Sequence, residues 1–161
     1  MPPPKCTYKR LVALMERWAR EEDSPPPSEQ MAASYQKMRA NPPWGAAPVW
    51  LDKEVVPLVD AMNAMKGIVT VESCCGHGED PFRIWFYAES VNTVRPLFEF
   101  VSTRRGWRIT FEEHNSEGDR DYIFCLKGPK GERAYREAKQ LADAIAASPV
   151  HPGVGRGDPA I

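Results

Sequence analysis

The sequence predicts an α+β protein in which a four-stranded, mainly antiparallel sheet is covered by helices as a two-layer sandwich. Segments with an apolar residue at every second position are typical of half-buried strands, and they alternate here with segments of helical apolar spacing. The resulting order, α-ββ-α-ββ-α after two N-terminal helices, suggests a repeated ββα unit.

The length and composition indicate one core. A chain of 161 residues with 42% hydrophobic content is long enough for a single ordinary domain. We expect a helical, proline-rich N-terminal extension over residues 1–50, a core domain over 51–147 and a flexible tail over 148–161. The 21 basic and 22 acidic residues nearly cancel, which argues against nonspecific nucleic-acid binding driven by net charge.

Two helices are predicted in the N-terminal extension. Helical spacing runs from Tyr8 to Ala19, and a second helix is expected from the cap candidate Ser28 to Asn41. These helices could dock a protein partner, and the first could cover the second face of the sheet or pair with another subunit. The chain starts without a signal-like apolar stretch, and no run approaches the roughly 20 apolar residues that span a bilayer. We therefore expect a cytoplasmic protein that does not bind membranes.

The first half of the core predicts a helix and two strands. Asp52 is a candidate cap for a helix whose apolar stripe runs over residues 55–65 and ends at Gly67. The β-branched segment 68–72 and the alternating segment 82–87 are the predicted strands. They flank a glycine-rich loop.

The second half repeats this arrangement. A helix is predicted over residues 93–103, followed by strands over 107–113 and 122–127. The polar stretch 114–121 between these strands predicts a hairpin loop. Apolar residues from Tyr135 to Ile145 mark a last helix.

The glycine-rich loop Ser73-Cys74-Cys75-Gly76-His77-Gly78 is the predicted functional site. Its two glycines permit a positive φ, so successive backbone N–H groups could form an anion-binding nest. The imidazole could add a charge or a proton, since the unperturbed pKa of histidine is about 6.5. The favoured function is binding of an anionic ligand, a nucleotide or RNA phosphate. The predicted binding residues are Ser73, Cys74, Gly76, His77 and Gly78.

Three other interpretations of the loop stay open. Cys74, Cys75 and His77 could hold zinc, helped by Cys125 or His114, in a metal-stabilised protein-interaction module. Either loop cysteine could be a nucleophile activated by His77. Finally, the loop could be an ordinary turn whose cysteines pack as small hydrophobic side chains.

Four residues outside the loop are secondary candidates. Arg104, Arg105 and Arg108 surround Gly106 and could contact phosphates if the fold brings them to the loop. Trp85 could stack on a base if it lies on an uncovered sheet face.

A family resemblance covers residues 51–87. The segment 51–63, Thr70 and the loop at 73–77 resemble a group of small bacterial and phage proteins of unassigned function that share an S-C-x-G-H loop. More distantly, this part of the chain resembles the wybutosine-synthesis tRNA methyltransferase family, whose loop has the sequence T-S-S-C-S-G-R. Ser73, Cys74 and Gly76 match that loop, and His77 stands where the family has arginine. The resemblance implies a tRNA-modifying enzyme, while the residues themselves leave catalysis open.

Overall fold

A computed structural model describes residues 12–13, 27–40, 51–116 and 119–148 of the chain. In chain order its elements are α1 (Pro27–Ala40), α2 (Val56–Asn63), β1 (Ile68–Cys74), β2 (Pro81–Ala88), α3 (Val91–Ser102), β3 (Arg108–Ser116), β4 (Asp119–Lys130) and α4 (Gly131–Ala147).

The predicted α+β class and antiparallel sheet are confirmed. The order α-ββ-α-ββ-α is present from α2 to α4. Of the first predicted helix the structure describes only Val12 and Ala13, both helical, and the tail beyond Ser148 lies outside the described residues. Within the described ranges, no helix combines the length and apolar character needed to cross a membrane.

The sheet has the strand order β1-β2-β4-β3, and every neighbouring pair is antiparallel. Each hairpin contributes one inner and one edge strand, so β1 and β3 lie at opposite edges. The β1–β2 register shifts between Thr70 and Glu72, where β1 carries a bulge. A bulge bends its strand and re-aims the side chains that follow, and here it precedes the glycine-rich loop.

One face of the sheet forms the main core. Phe82, Ile84 and Phe86 point from β2 toward helices α2, α3 and α4, as their alternation predicts. Phe86 stacks on Phe124 of β4 with 5.4 Å between ring centroids. This face fixes the helices relative to the sheet, and the loop lies against α4.

Helix α1 packs on the opposite face. Tyr35 of α1 joins a second buried cluster with Val69, Tyr87 and Ile123 from three strands. The sequence suggested the first N-terminal helix for this face, and α1, which is the second predicted helix, covers it in part. Its observed start at Pro27 lies one residue before the predicted cap, Ser28.

Two predicted local features are wrong. Asp52 does not cap α2, which begins at Val56 with Val55 at its N-cap position. The carboxylate of Asp52 instead bonds to the loop, 23 residues later in the chain. The predicted hairpin loop 114–121 is mostly strand, because β3 and β4 continue their pairing as far as Ser116 and Asp119.

Candidate functional site

The loop after β1 is a tight 3₁₀ turn with left-handed backbone. Three consecutive residues have positive φ, at +80° for Gly76, +51° for His77 and +83° for Gly78. Among the described residues, His77 is the only non-glycine with a positive φ. Such strain costs on the order of 1–3 kcal/mol and clusters at functional sites. The turn therefore holds the imidazole in an orientation that relaxed backbone would not give.

Asp52 joins the loop from the segment before α2. Its Oδ2 accepts the Cys75 N–H at 3.0 Å and lies 3.9 Å from Nε2 of His77. The hydrogen bond from this backbone N–H lowers the pKa of Asp52 despite partial burial. A carboxylate thus occupies the concave side of the turn.

The sulfur of Cys75 lies at the centre of the site. Cys75 is 4% exposed, and its Sγ is 3.6 Å from Nδ1 of His77. Burial raises the pKa of the Cys75 thiol, and its hydrogen bond to Asp52 raises that pKa further. Nucleophilic cysteines have a lowered pKa instead, so the geometry does not favour the nucleophile interpretation for Cys75.

Tyr135 of α4 completes the site, and sequence reasoning missed it. Hydrogen bonding to the Cys75 side chain raises the pKa of the Tyr135 hydroxyl, and the Gly78 N–H acts on the same hydroxyl in the opposite direction. Helical spacing marked Tyr135 as part of an apolar stripe. The available signal was that Tyr135 lies at the border of the apolar stripe, beside Ala134 and Ala138, which are buried. A tyrosine at such a border can bury its ring and turn its hydroxyl outward.

Three different donor groups meet at this point. One ligand atom from each of Asp52, Cys75 and His77 lies within 4.8 Å of the other two. Zinc bonds of about 2.0–2.3 Å in tetrahedral geometry place donor atoms roughly 3.5 Å apart. The sulfur–nitrogen separation of 3.6 Å already matches this spacing. The 3.9 Å separation of Asp52 Oδ2 is measured to Nε2, the other ring nitrogen, so a metal bound at Nδ1 would require the carboxylate to move toward that side of the ring.

The other predicted zinc ligands lie elsewhere. Cys74 pairs in register with Arg83, and its Sγ accepts the Gly76 N–H at 3.4 Å. Cys125 is fully buried in β4, where desolvation raises its pKa to about 12. His114 belongs to β3, at the edge of the sheet opposite β1. The structure therefore brings together Cys75, His77 and the unpredicted Asp52.

The predicted anion nest has internal partners. The N–H groups of the turn bond to Asp52, to the two cysteine sulfurs, to the Tyr135 hydroxyl and to the Gly76 carbonyl. These N–H groups belong to Cys75, Gly76, His77, Gly78, Glu79 and Asp80. The Ser73 Oγ is buried and has no hydrogen-bond partner among the described residues. An incoming phosphate would have to displace these contacts.

The secondary candidates do not meet the loop. Arg104 bonds to Gln140 of α4 at 2.7 Å, and the Arg105 carbonyl accepts a bond from Arg133. Arg108 is exposed at the start of β3, on the far edge strand.

Trp85 lies on the sheet face that α1 partly covers. The Arg83 guanidinium is 5.3 Å from its ring centroid, and the indole donates a hydrogen bond to Glu112. One side of this ring therefore already has a stacking partner within the protein.

The comparisons with known proteins assign neither a family nor a function to this chain. No family model matches this chain, and neither a curated protein nor a solved structure matches it. The resemblance to S-C-x-G-H loop proteins and to the wybutosine-synthesis family stays a prediction.

Proposed function

We propose that this protein binds one divalent transition metal, Zn²⁺ by the chemistry of the donors, through Asp52, Cys75 and His77. The convergence of a carboxylate, a thiol and an imidazole within 4.8 Å carries the proposal. Thiolate and imidazole favour zinc and similar borderline metals, whereas calcium and magnesium take oxygen donors.

The charge around the site also favours a cation. Asp52 contributes a carboxylate with a lowered pKa, and Glu54 is near enough to raise the pKa of Tyr135. The exposed Glu79 and Asp80 follow immediately after the turn. A bound metal would reduce the repulsion among these groups, while a phosphate would increase it.

Metal binding would also change the state of the buried thiol. Without metal, burial and Asp52 keep the Cys75 thiol protonated by raising its pKa. A metal coordinates the thiolate, so binding must release this proton. Zinc affinity should therefore rise with pH, and calorimetry in buffers of different ionisation enthalpy would detect the released proton.

Isothermal titration of chelator-treated protein with zinc tests the proposal. We expect one equivalent to bind to the wild type. Substitution of a residue that only supports the metal ligands weakens metal binding by up to about a hundredfold. Asp52→Asn, Cys75→Ser and His77→Ala should each weaken zinc binding by at least that factor. The asparagine side-chain oxygen can still accept the hydrogen bond from the Cys75 N–H. Asp52→Asn therefore removes the negative charge and keeps this contact within the fold.

Matched controls come from neighbouring residues of the same type. Cys74→Ser and the exposed Asp60→Asn should bind zinc like the wild type. Absence of zinc binding by the wild type would reject the proposal. Equal losses in Cys74→Ser and Cys75→Ser would instead support the pair of loop cysteines that the sequence suggested.

Anion binding is the second candidate, and the buried, unpartnered Ser73 Oγ favours it. A phosphate group, from a nucleotide or RNA, would supply the acceptor that this hydroxyl lacks among the described residues. Thermal unfolding with and without inorganic phosphate tests this idea. A rise in Tm that Ser73→Ala abolishes would support it, and no rise would remove it.

A further inference from the structure

We propose that the metal centre keeps an open coordination position beside Tyr135, and that this position accepts an exchangeable neutral ligand with a nitrogen or sulfur donor. The inference rests on the proposed metal binding and concerns what the bound metal can do. An open coordination position distinguishes a reactive or ligand-binding metal centre from a purely structural one.

The number of protein donors is the first reason. Structural zinc sites are closed by four protein ligands, whereas sites that bind substrate have three and leave the fourth position to water or substrate. Within the part of the chain that the structure describes, the cluster contains Asp52, Cys75 and His77 and no fourth histidine, cysteine or carboxylate. A metal held by these three would complete its shell from solvent.

Accessibility is the second reason. The His77 side chain is 71% exposed and that of Asp52 is 28% exposed, while Cys75 lies buried beneath them. At Gly78 an added Cβ would meet nothing within 4 Å. The donor cluster is therefore open to solvent on the side of His77, and the direction in which a Gly78 side chain would point is also free.

Tyr135 is the third reason. Tyr135 belongs to α4, the helix that packs against the turn, and hydrogen bonding to Cys75 raises the pKa of its hydroxyl. A phenol in this place can turn to donate to, or accept from, a molecule bound at the metal. We assign Tyr135 as a positioning residue for that molecule.

The surrounding charge selects the class of ligand. Asp52 and a metal-bound thiolate would supply two negative charges to the divalent ion, and Glu54 adds a third nearby. An anionic ligand would meet this excess negative charge, whereas a neutral imidazole or thioether would not. Imidazole is a suitable probe because it is small, neutral above its pKa and a good ligand for such metals.

Cobalt-substituted protein tests the inference, because Co²⁺ reports its ligands by absorption while d¹⁰ zinc is silent. We expect cobalt to give visible d–d bands and a thiolate-to-metal charge-transfer band. Imidazole at pH 8 should shift the d–d bands in a saturable way and preserve the thiolate band. Azide, the anionic probe, should bind at least about tenfold more weakly, as expected for a charge selection of about 1.4 kcal/mol.

Tyrosine variants test the positioning role at saturating cobalt. Tyr135→Phe should weaken imidazole binding about threefold to tenfold, the effect of losing one hydrogen bond of roughly 1 kcal/mol. Tyr35→Phe, a buried tyrosine on the opposite sheet face, is the matched control and should behave like the wild type. Equal imidazole affinities for Tyr135→Phe and wild type would refute the role of Tyr135.

The failures of the two proposals are distinguishable. Absence of the cobalt bands would reject metal binding itself. Normal cobalt bands that do not respond to imidazole or azide would leave metal binding intact and reject the open position. Loss of the thiolate band with retention of the cobalt d–d bands would show that imidazole displaces Cys75 and does not fill a vacant position, which rejects the open position. Tighter binding of azide than of imidazole would refute the neutral ligand class.

Discussion

Substitution of Gly76 by alanine should destabilise the protein far more than the same change at Gly78. Both glycines have left-handed backbone, with φ of +80° and +83°. This conformation costs an L-residue roughly 1–2 kcal/mol. At Gly76 the new Cβ would also lie 3.0 Å from the carbonyl oxygen of Pro81, whereas at Gly78 it would meet nothing within 4 Å.

The neighbouring backbone decides the size of this difference. Pro81 is the first residue of β2 and pairs with Lys130 of β4, so its carbonyl cannot retreat without disturbing the sheet. Overpacking against a rigid neighbour costs typically about 1–3 kcal/mol. We therefore expect Gly76→Ala to lose about 2–5 kcal/mol of unfolding free energy, and Gly78→Ala about 1–2 kcal/mol.

Equilibrium urea unfolding of the two variants and the wild type, followed by circular dichroism, measures both losses. The slope m should stay constant, since neither change alters the surface exposed on unfolding. Equal losses at the two positions would show that the contact with Pro81 is not rigid. No loss at either position would show that the left-handed turn is not maintained in solution.

Three further predictions concern the rest of the fold. Asn63→Ala removes two hydrogen bonds of 2.8 Å that join α2 to Thr70, and urea unfolding should show a loss of about 1–3 kcal/mol. Glu112 is desolvated, but its bonds from Lys127, Thr110 and Trp85 outweigh this effect and lower its pKa from the ordinary value of a glutamate. A carboxylate whose pKa is lower in the folded state stabilises the fold at pH values above its unfolded pKa, and this stabilisation is lost as the pH falls. The stability advantage of wild type over Glu112→Gln should therefore shrink between pH 6 and pH 3. Cys125, with a pKa of about 12 and full burial, should resist iodoacetamide in the native protein at pH 8 and react after unfolding, as peptide mapping by mass spectrometry would show.

Each of these predictions has a result that contradicts it. Unchanged stability in Asn63→Ala would mean that water replaces both bonds at no cost. A difference between wild type and Glu112→Gln that is constant with pH would show that Glu112 has the same pKa in the folded and unfolded states. Alkylation of Cys125 in the native protein at the rate of an exposed thiol would show that β4 is accessible.

The sequence by itself determined the class of the fold and the position of the glycine-rich turn. Alternation at Phe82, Ile84 and Phe86 identified a strand and grouped these side chains on one face, because side chains of a strand point to opposite sides in turn. The run of glycine, cysteine and histidine after β1 indicated the turn, since only glycine readily takes the left-handed conformation seen at Gly76. These features depend on neighbours within a few residues.

Only the tertiary structure decided which groups meet at the turn. Asp52 reaches Cys75 across 23 residues, and Tyr135 arrives from the last helix. Local pattern had assigned Asp52 to a helix cap and Tyr135 to an apolar stripe. Both assignments describe what a residue can do within its own element, and they carry no information on which elements become neighbours.

The two loop cysteines show the same division. Sequence spacing treats Cys74 and Cys75 as equivalent, but Cys74 is the last residue of β1 and Cys75 lies in the turn against Asp52. The strand order β1-β2-β4-β3 likewise separates the arginines of the β3 side from the loop. Periodicity fixes the face of a side chain, whereas long-range packing fixes its partners, because contacts between distant segments depend on how whole elements bury their surfaces together.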